Sequence, residues 1–414
     1  MTETGRKSLP RERVARVVKV QPAQQGGHHV DFLIGDIEYR THWKADPPVA
    51  GDTFLASGDD PPRLGRRVGE ATSGGWDRSG DGMRWRQPDA SGRTRMARLR
   101  ERHVIRRAVR DYLDGEGFIE IDTPLLVHAA SPDVAIDSFA VGDRYLISSS
   151  EYQIKRMEVG GFDRVYTLTQ NFRRGDVEGS TRSPEFTMLE WARVGESLAA
   201  IETDVEQLTW HAHRALGGDG STVFGNYRVK LAPPWDRLTV AETVEQTAGV
   251  ALPDFSLSAV TRAVEACGID IQEIWRHDLP FLFSLLMATL QPSLGGERPV
   301  FVRDWPAFET SSAHEKAGDS IAERSELFIA GVELSDGFAS LTGHDQQVAG
   351  FARQLKRRRA AGMPEVELDH AYLAALQAGL PEGAGMALGF DRLVMVLTGC
   401  TDIRQVLAFG WAEA

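Results

Sequence analysis

At 414 residues the chain is too long for one ordinary compact core, so two or three domains are expected. With 42% hydrophobic and 26% charged residues it has the make-up of a globular protein rather than a disordered or fibrous one. The net charge of −12 is uneven: residues 1–110 hold 22 Lys and Arg against 14 Asp and Glu, a net +8, which leaves −20 on the remainder. A basic front on an acidic body suits a polyanionic or acidic partner, or simply a solvated helix face.

The opening MTETGRKSLPRER contains no apolar run of the kind that starts a secretory leader. The longest apolar stretch, LPFLFSLLMATL at 279–290, is too short to span a bilayer and predicts a buried helix. No membrane association is therefore expected. Cys267 and Cys400 are far apart and form no metal-type spacing. They fit a reducing, cytoplasmic setting.

In chain order, VARVVKV, HHVDFLI, IEYRTHW and DTFLAS predict short strands divided by Gly, Pro and Asp turns. They suit a small β-barrel, with a sandwich as the alternative, over 1–64. Residues 65–92, rich in Gly, Ser, Arg and Asp, have linker composition. RTRMARLRERHVIRRAVRDYLDGEG predicts an amphipathic helix ending in glycines. FIEIDTPLLV, YLISSS, RVYTLTQNF and EFTMLEWARV are strand candidates. From ESLAAIETDVEQLTWHAHRAL to about 295 the pattern is mostly helical. RPVFVRDWP, SELFIAGVEL and GMALGFDRLVMVLTG return to strands and a closing helix. Strands and helices mix without strict alternation, so 93–414 is expected to be an α+β domain with an antiparallel sheet. There is no GxxxxGK[ST] or GxGxxG phosphate loop.

Three stretches carry chemistry. In FRRGDVEGSTRSPEFTMLEWA, Arg173 and Arg182 bracket a loop of turn-forming residues. Arginine offers a permanent charge and a fork of donors suited to phosphate and carboxylate oxygens. Phe186 offers a flat face to a base, and Phe186, Met188 and Glu190 alternate onto one strand face. In GMALGFDRL, Gly385 and Gly389 permit close backbone approach, and Arg392 opens an apolar helix. In ERSELFIAGVELSDGF, Glu326 and Glu333 lie seven residues apart. That odd spacing puts them on opposite faces unless the Gly331 turn or a bulge resets the register. Paired carboxylates facing a triphosphate imply Mg²⁺.

FIEIDTP (118–124), FRRGDVEGSTRSPEFTMLEW (172–191) and GMALGFDRLVMVLTG (385–399) resemble, in order and spacing, the three signature motifs of class II aminoacyl-tRNA synthetases. Finer matching points to the lysyl, aspartyl and asparaginyl subgroup and its paralogues that ligate lysine to elongation factor P. The resemblance covers about 95–414. It implies a six- or seven-stranded antiparallel sheet flanked by helices, and a homodimer through the segment around Pro124. It implies ATP as a substrate with Mg²⁺, consumed to form an aminoacyl-adenylate.

By the same resemblance Arg173 bridges the α-phosphate and the substrate carboxylate. Arg182 lies near the γ-phosphate, and Phe186 and Arg392 sandwich adenine, with Arg392 also reaching the γ-phosphate. Glu326 and Glu333 hold Mg²⁺, and Glu151 receives the α-amino group.

The departures are specific. An acid of the second motif is replaced by Gly175, leaving neighbouring Asp176 or the backbone to hold the adenine amino group. Of the three groups that take a lysine ammonium, only Glu190 remains: a tyrosine is Ala192 and a later glutamate is Ser340. Asp336 stands where the family has Asn, and Ala387 where lysyl enzymes have Gly. Ala387 either admits a shifted amino group or only packs. An ammonium buried without partners is costly, so strict lysine selectivity is not expected. Glu190 and Asp336 keep the pocket acidic, which favours an amine-bearing amino acid other than ordinary lysine. The barrel shows few aromatic or basic candidates for stacking single-stranded bases beyond Tyr39 and Trp43. The expected activity is transfer of the activated amino acid to a protein or small-molecule amine. A genuine tRNA synthetase of unusual specificity and a non-catalytic regulator are the alternatives.

Overall fold

A computed structural model describes residues 13–414 apart from 25, 35–36, 45, 58–61, 71–84, 90, 177 and 317–319. The chain divides into two compact units, Met1–Arg100 and Glu101–Ala414.

In the first unit, β1 (Arg13–Pro22), β2 (His28–Ile34), β3 (Ile37–Trp43), β4 (Thr53–Ser57) and β5 (Arg63–Gly69) form an antiparallel sheet in the order β3-β2-β1-β4-β5. Val17, Val30, Phe32 and Phe54 make its core. The expected barrel is thus a five-stranded sheet with β3 and β5 as outer strands. Strand β5 runs into the stretch assigned to the linker, because Leu64 packs on the core while the arginines around it mask the pattern. The linker residues 71–84 lie outside the described residues. Tyr39 stacks on Phe32 at 5.7 Å and Trp43 meets Phe54 edge-on at 5.6 Å. Both candidate base-stacking rings therefore serve the core.

The second unit begins within α1 (Arg95–Gly115), which buries Ile105, Ala108, Val109 and Leu113 at helical spacing. The stretch FIEIDTPLLV forms only β6 (Ile119–Glu120) and β7 (Leu126–Val127), interrupted at Pro124. Proline has no N–H to give a ladder. Strand β7 joins β8 (Ala140–Val141) and β9 (Arg144–Leu146) in a small sheet. After α2 (Glu151–Val159) come β10 (Arg164–Phe172), β11 (Glu185–Val194) and α3 (Leu198–Ala215).

The stretch after α3 was expected to be mostly helical. It instead holds β12 (Ser221–Phe224), β13 (Tyr227–Lys230) and β14 (Asp236–Thr239) before α4 (Val240–Ala248), α5 (Leu257–Ala266) and α6 (Leu279–Leu290). Gly225, at φ +55°, and Asn226 make the β12–β13 turn, where φ > 0 is needed. As expected, α6 buries Leu282, Phe283, Leu286 and Leu290. The rest is β15 (Val300–Pro306), β16 (Ile321–Ile329), β17 (Val332–Ala339), α7 (His344–Ala360), α8 (His370–Gly379), β18 (Gly383–Gly389) and α9 (Phe390–Thr398).

One eight-stranded sheet, in the order β14-β15-β16-β17-β18-β11-β10-β6, organises the unit. Its six central strands are antiparallel, and β14 and β6 join the ends in parallel. On β11, Leu189 and Trp191 enter the core shared with α3 and α9. Phe186, Met188, Glu190 and Ala192 alternate to the opposite face and line a cavity. No helix among the described residues is long and apolar enough to cross a membrane.

Candidate active site

The cavity floor is written in the strand register. Glu190 pairs with Ala387, Ala387 with Asp336 and Asp336 with Glu326, so these four form one cross-strand row. Ala192, Gly385, Phe338 and Arg324 form the adjacent row. Cross-strand partners point to the same face. The two-residue turn at 330–331 pairs Ile329 with Val332 and Phe328 with Glu333, and Phe328 shares a face with Glu326 two residues before it, so Glu333 lies on the face of Glu326; a bulge at Leu334 then carries Asp336 opposite Glu326. The Gly331 turn, one of the two resets considered from the sequence, thus brings the two glutamates together, and the bulge adds Asp336 to the same face.

Above this floor lies a cavity of about 300 Å³. Arg173, Asp176, Arg182, Phe186, Glu333 and Arg392 line one part of its wall, and Glu151, Glu190, Ala192, Asp336, Ser340 and Ala387 are also in the lining. Every proposed site residue except Glu326 therefore reaches it. Glu326 is buried beneath, held by Arg324 at 2.6 Å.

Three arginines converge. The Arg173 guanidinium lies 5.3 Å from the Phe186 ring centroid, and its buried Nε has no hydrogen-bond partner. Arg182 pairs with Asp176 at 3.1 Å. Arg392 donates to the Thr181 carbonyl at 3.1 Å and the Glu333 carbonyl at 2.8 Å. Burial pulls Arg392 below its ordinary pKa; Glu333 opposes this, while Arg182 and Arg173 reinforce it. Such clustered cations are relieved by an anion. The helix carrying Arg392 is tied to β11 because Asp391 accepts from the Thr187 N–H at 2.7 Å and meets Arg102 at 2.5 Å.

Asp176 is thus already engaged by Arg182. A Cβ at Gly175 would meet only Asp137 Cβ, at 3.9 Å, so the missing acid is a chemical change and not a steric one.

At the amino-acid end, Glu190 accepts from Ser149 Oγ at 2.5 Å and from the Ser150 N–H at 2.6 Å. Burial raises its pKa, and those two hydrogen bonds and Arg173 moderate the rise. Glu151 pairs with the buried Lys155 at 2.7 Å, and Lys155 lies 5.0 Å from the Phe338 ring centroid. Ala387 projects between Glu190 and Asp336 into the cavity, so it shapes the pocket directly.

Three residues were missed from the sequence. Arg324 takes Asp336 at 2.8 Å, so this carboxylate is neutralised and does not keep the pocket acidic on its own. Its clue was the alternation RSE in ERSELF. Lys155 sits four residues after Glu151, the spacing of a helical ion pair. Glu309 also lines the cavity, and nothing in its local sequence signalled it.

Among the described residues no group of three or more His, Cys, Asp or Glu is arranged to hold a metal alone. The donor set fits magnesium bound chiefly through phosphate oxygens, with Glu333 at the cavity and Glu326 behind it.

Comparison with known proteins agrees with this geometry. A family model described as tRNA synthetases class II (D, K and N) matches residues 83–413. A lysine–tRNA ligase of Pelotomaculum thermopropionicum is 33% identical over 326 residues, 74% of this chain and 62% of that protein. An elongation factor P–(R)-beta-lysine ligase of Vibrio cholerae is 31% identical over 332 residues, 77% of this chain and 97% of that protein. One from Enterobacter sp. is 32% identical over 335 residues, 78% and 96%. The chain thus spans under two thirds of the lysine–tRNA ligase and nearly the whole of the two elongation factor P ligases. ATP is the substrate that this family implies, typically with Mg²⁺. The chain belongs to the class II tRNA synthetase family of the aspartyl, lysyl and asparaginyl type.

Proposed function

We propose that this protein is a synthetase-like ligase that activates an amine-bearing amino acid, other than lysine in its usual pose, and transfers it to a non-tRNA amine on a protein or small molecule. The observation that carries this is the cavity row: Glu190 remains, Ala387 intrudes beside it, and Ala192 and Ser340 leave space. Near-complete coverage of the elongation factor P ligases supports the choice of acceptor class.

In the first step a substrate carboxylate oxygen attacks the α-phosphorus of ATP, and pyrophosphate leaves. In the second the acceptor amine attacks the acyl carbon, AMP leaves, and the amine loses a proton. No protein nucleophile is required; orientation and charge neutralisation suffice. Arg173 is assigned to the α-phosphate and substrate carboxylate, Arg182 to the γ-phosphate, and Phe186 with Arg392 to adenine. Arg392 also reaches toward the γ-phosphate. Asp176 must leave Arg182 when the triphosphate arrives, and only then is it free for the adenine amino group. Glu151 is assigned the substrate α-amino group and exchanges Lys155 for it. Magnesium, when bound, would offset charge on the triphosphate, with Glu333 and Glu326 as its protein ligands.

We place the first domain boundary at the end of β5, Gly69, rather than at 64, and keep a linker to 92 and a synthetase-like domain over 93–414 from the sequence reading. Exposed Ile119, Leu125 and Leu126 flank Pro124 and support a homodimer through that segment. Two free cysteines, Cys267 and Cys400, support a cytoplasmic setting.

ATP–pyrophosphate exchange across amino acids and their β-amino and diamino analogues tests the activation step. Absence of exchange with every candidate overturns it. A genuine tRNA synthetase is the second reading, favoured by the 33% identity to a lysine–tRNA ligase. Charging of total tRNA by the purified protein would select it. A regulator without catalysis has no use for Arg173, Phe186, Glu326, Glu333 and Arg392 together.

A further inference from the structure

Most carboxylates around the cavity are engaged within the protein. Ser149 and Ser150 hold both oxygens of Glu190, Arg324 holds Asp336, Lys155 holds Glu151, and Arg182 holds Asp176. Glu309 differs. It ends the single 3₁₀ turn after β15, lines the cavity, and has a buried Oε1 with no hydrogen-bond partner. Its nearest influences are Arg324 and Arg357, with Asp133 adding like charge. Neither arginine forms an ion pair with its carboxylate. Arg324 spends its donors on Asp336, Glu326 and the Glu309 carbonyl, and Arg357 Nη1 points to the Phe308 carbonyl at 3.4 Å. Burial raises the Glu309 pKa. An enclosed carboxylate without a cation is costly unless a ligand supplies one.

We infer that Glu309 is the seat for the distal ammonium of a diamino-acid substrate. The inference rests on the amino-acid-activating reading above. It replaces the ammonium partners missing at Ala192 and Ser340 with one from another wall of the same cavity. Glu309 is a specificity-determining residue that touches the substrate's far end and no reacting atom.

The test compares wild type with Glu309→Gln and Glu309→Asp in the full chain. Pyrophosphate exchange is measured with lysine, ornithine and β-lysine, and with norleucine as an uncharged counterpart. Calorimetric binding of the same compounds runs alongside, since it reports the seat without the reaction. Glu309→Gln should raise KM and Kd for the preferred diamino acid by about 10- to 100-fold. It should leave kcat, the KM for ATP and norleucine binding unchanged, and Glu309→Asp should recover part of the loss. Unchanged diamino-acid KM and Kd in Glu309→Gln, with exchange intact, would overturn the seat while sparing the activating reading. Absence of exchange in wild type would fail the activating reading. The calorimetry then decides the seat: a weakened diamino acid supports it, and equal binding overturns it. Thermal unfolding of the near-isosteric Gln variant separates misfolding from lost recognition.

Discussion

Arg324 closes on Asp336 with Nε at 2.8 Å and Nη2 at 3.0 Å, and the same Nη2 reaches Glu326 at 2.6 Å. One buried cation therefore sits between two carboxylates of adjacent strands. Burial and the neighbouring Glu333 and Asp336 push Glu326 well above the usual carboxylate range against the pull of Arg324. Arg324→Met should remove the charge that opposes this rise and destabilise the protein by about 3–5 kcal/mol. Adding Glu326→Gln and Asp336→Asn should restore much of that loss, as coupled partners do. Denaturant unfolding of the single and triple variants checks this; equal losses would show that the three side chains are not coupled.

Arg173 leaves a buried Nε without a hydrogen-bond partner beside the Phe186 ring, an arrangement that waits for an anion. Arg173→Ala should lower pyrophosphate exchange by about 100- to 1,000-fold, the range seen when one donor to a developing charge is lost. Its unfolding midpoint should barely move. Exchange at wild-type rates would remove Arg173 from the α-phosphate.

Restoring the lysine partners is a test in the opposite direction. Ala192→Tyr with Ser340→Glu should raise exchange with lysine relative to wild type. Ala192 is buried against Ile154 and Val165, so the added ring should also cost about 1–3 kcal/mol of stability. Both are measured on the same preparation. Unchanged lysine use in a folded variant would show that positions 192 and 340 do not face the substrate amine.

Glu158 gives a pH prediction. Burial raises its carboxyl to about 7, with Lys155 opposing and Glu151 reinforcing the rise. In the unfolded chain the group titrates near its ordinary 4.5. Between those values the folded protein keeps a proton that the unfolded chain has released. Stability should therefore fall as pH rises from 4.5 to 7 and level off above. Glu158→Gln should remove that slope and gain about 2–3 kcal/mol on wild type by pH 8. Denaturation at pH 5 and 8 decides it; parallel behaviour of the two proteins would place the ionised group elsewhere.

Much of the larger unit was legible because its signals are local. The even spacing of Phe186, Met188 and Glu190 fixed a shared strand face, and the structure keeps it. The apolar run at 279–290 fixed a buried helix. What failed to show was set by distant partners. Nothing beside Tyr39 or Trp43 says that they pack inward on Phe32 and Phe54. Strand β5 hides its single apolar anchor, Leu64, among arginines. Asp336 looked like a free acid because its neutraliser, Arg324, stands twelve residues away across a hairpin. Glu309 acquires meaning only from the cavity that forms around it.

The bulge between Leu327 and Phe328 has a consequence for how this sequence tolerates change. Paired without it, Ser335 would stand opposite Glu326 and the Asp336 carboxylate would enter the layer beneath α3, as a frameshift re-reads a codon string; deleting Leu334 itself keeps both Glu333 and Asp336 on the face of Glu326. The hairpin therefore encodes its acidic pair by residue count as much as by residue type.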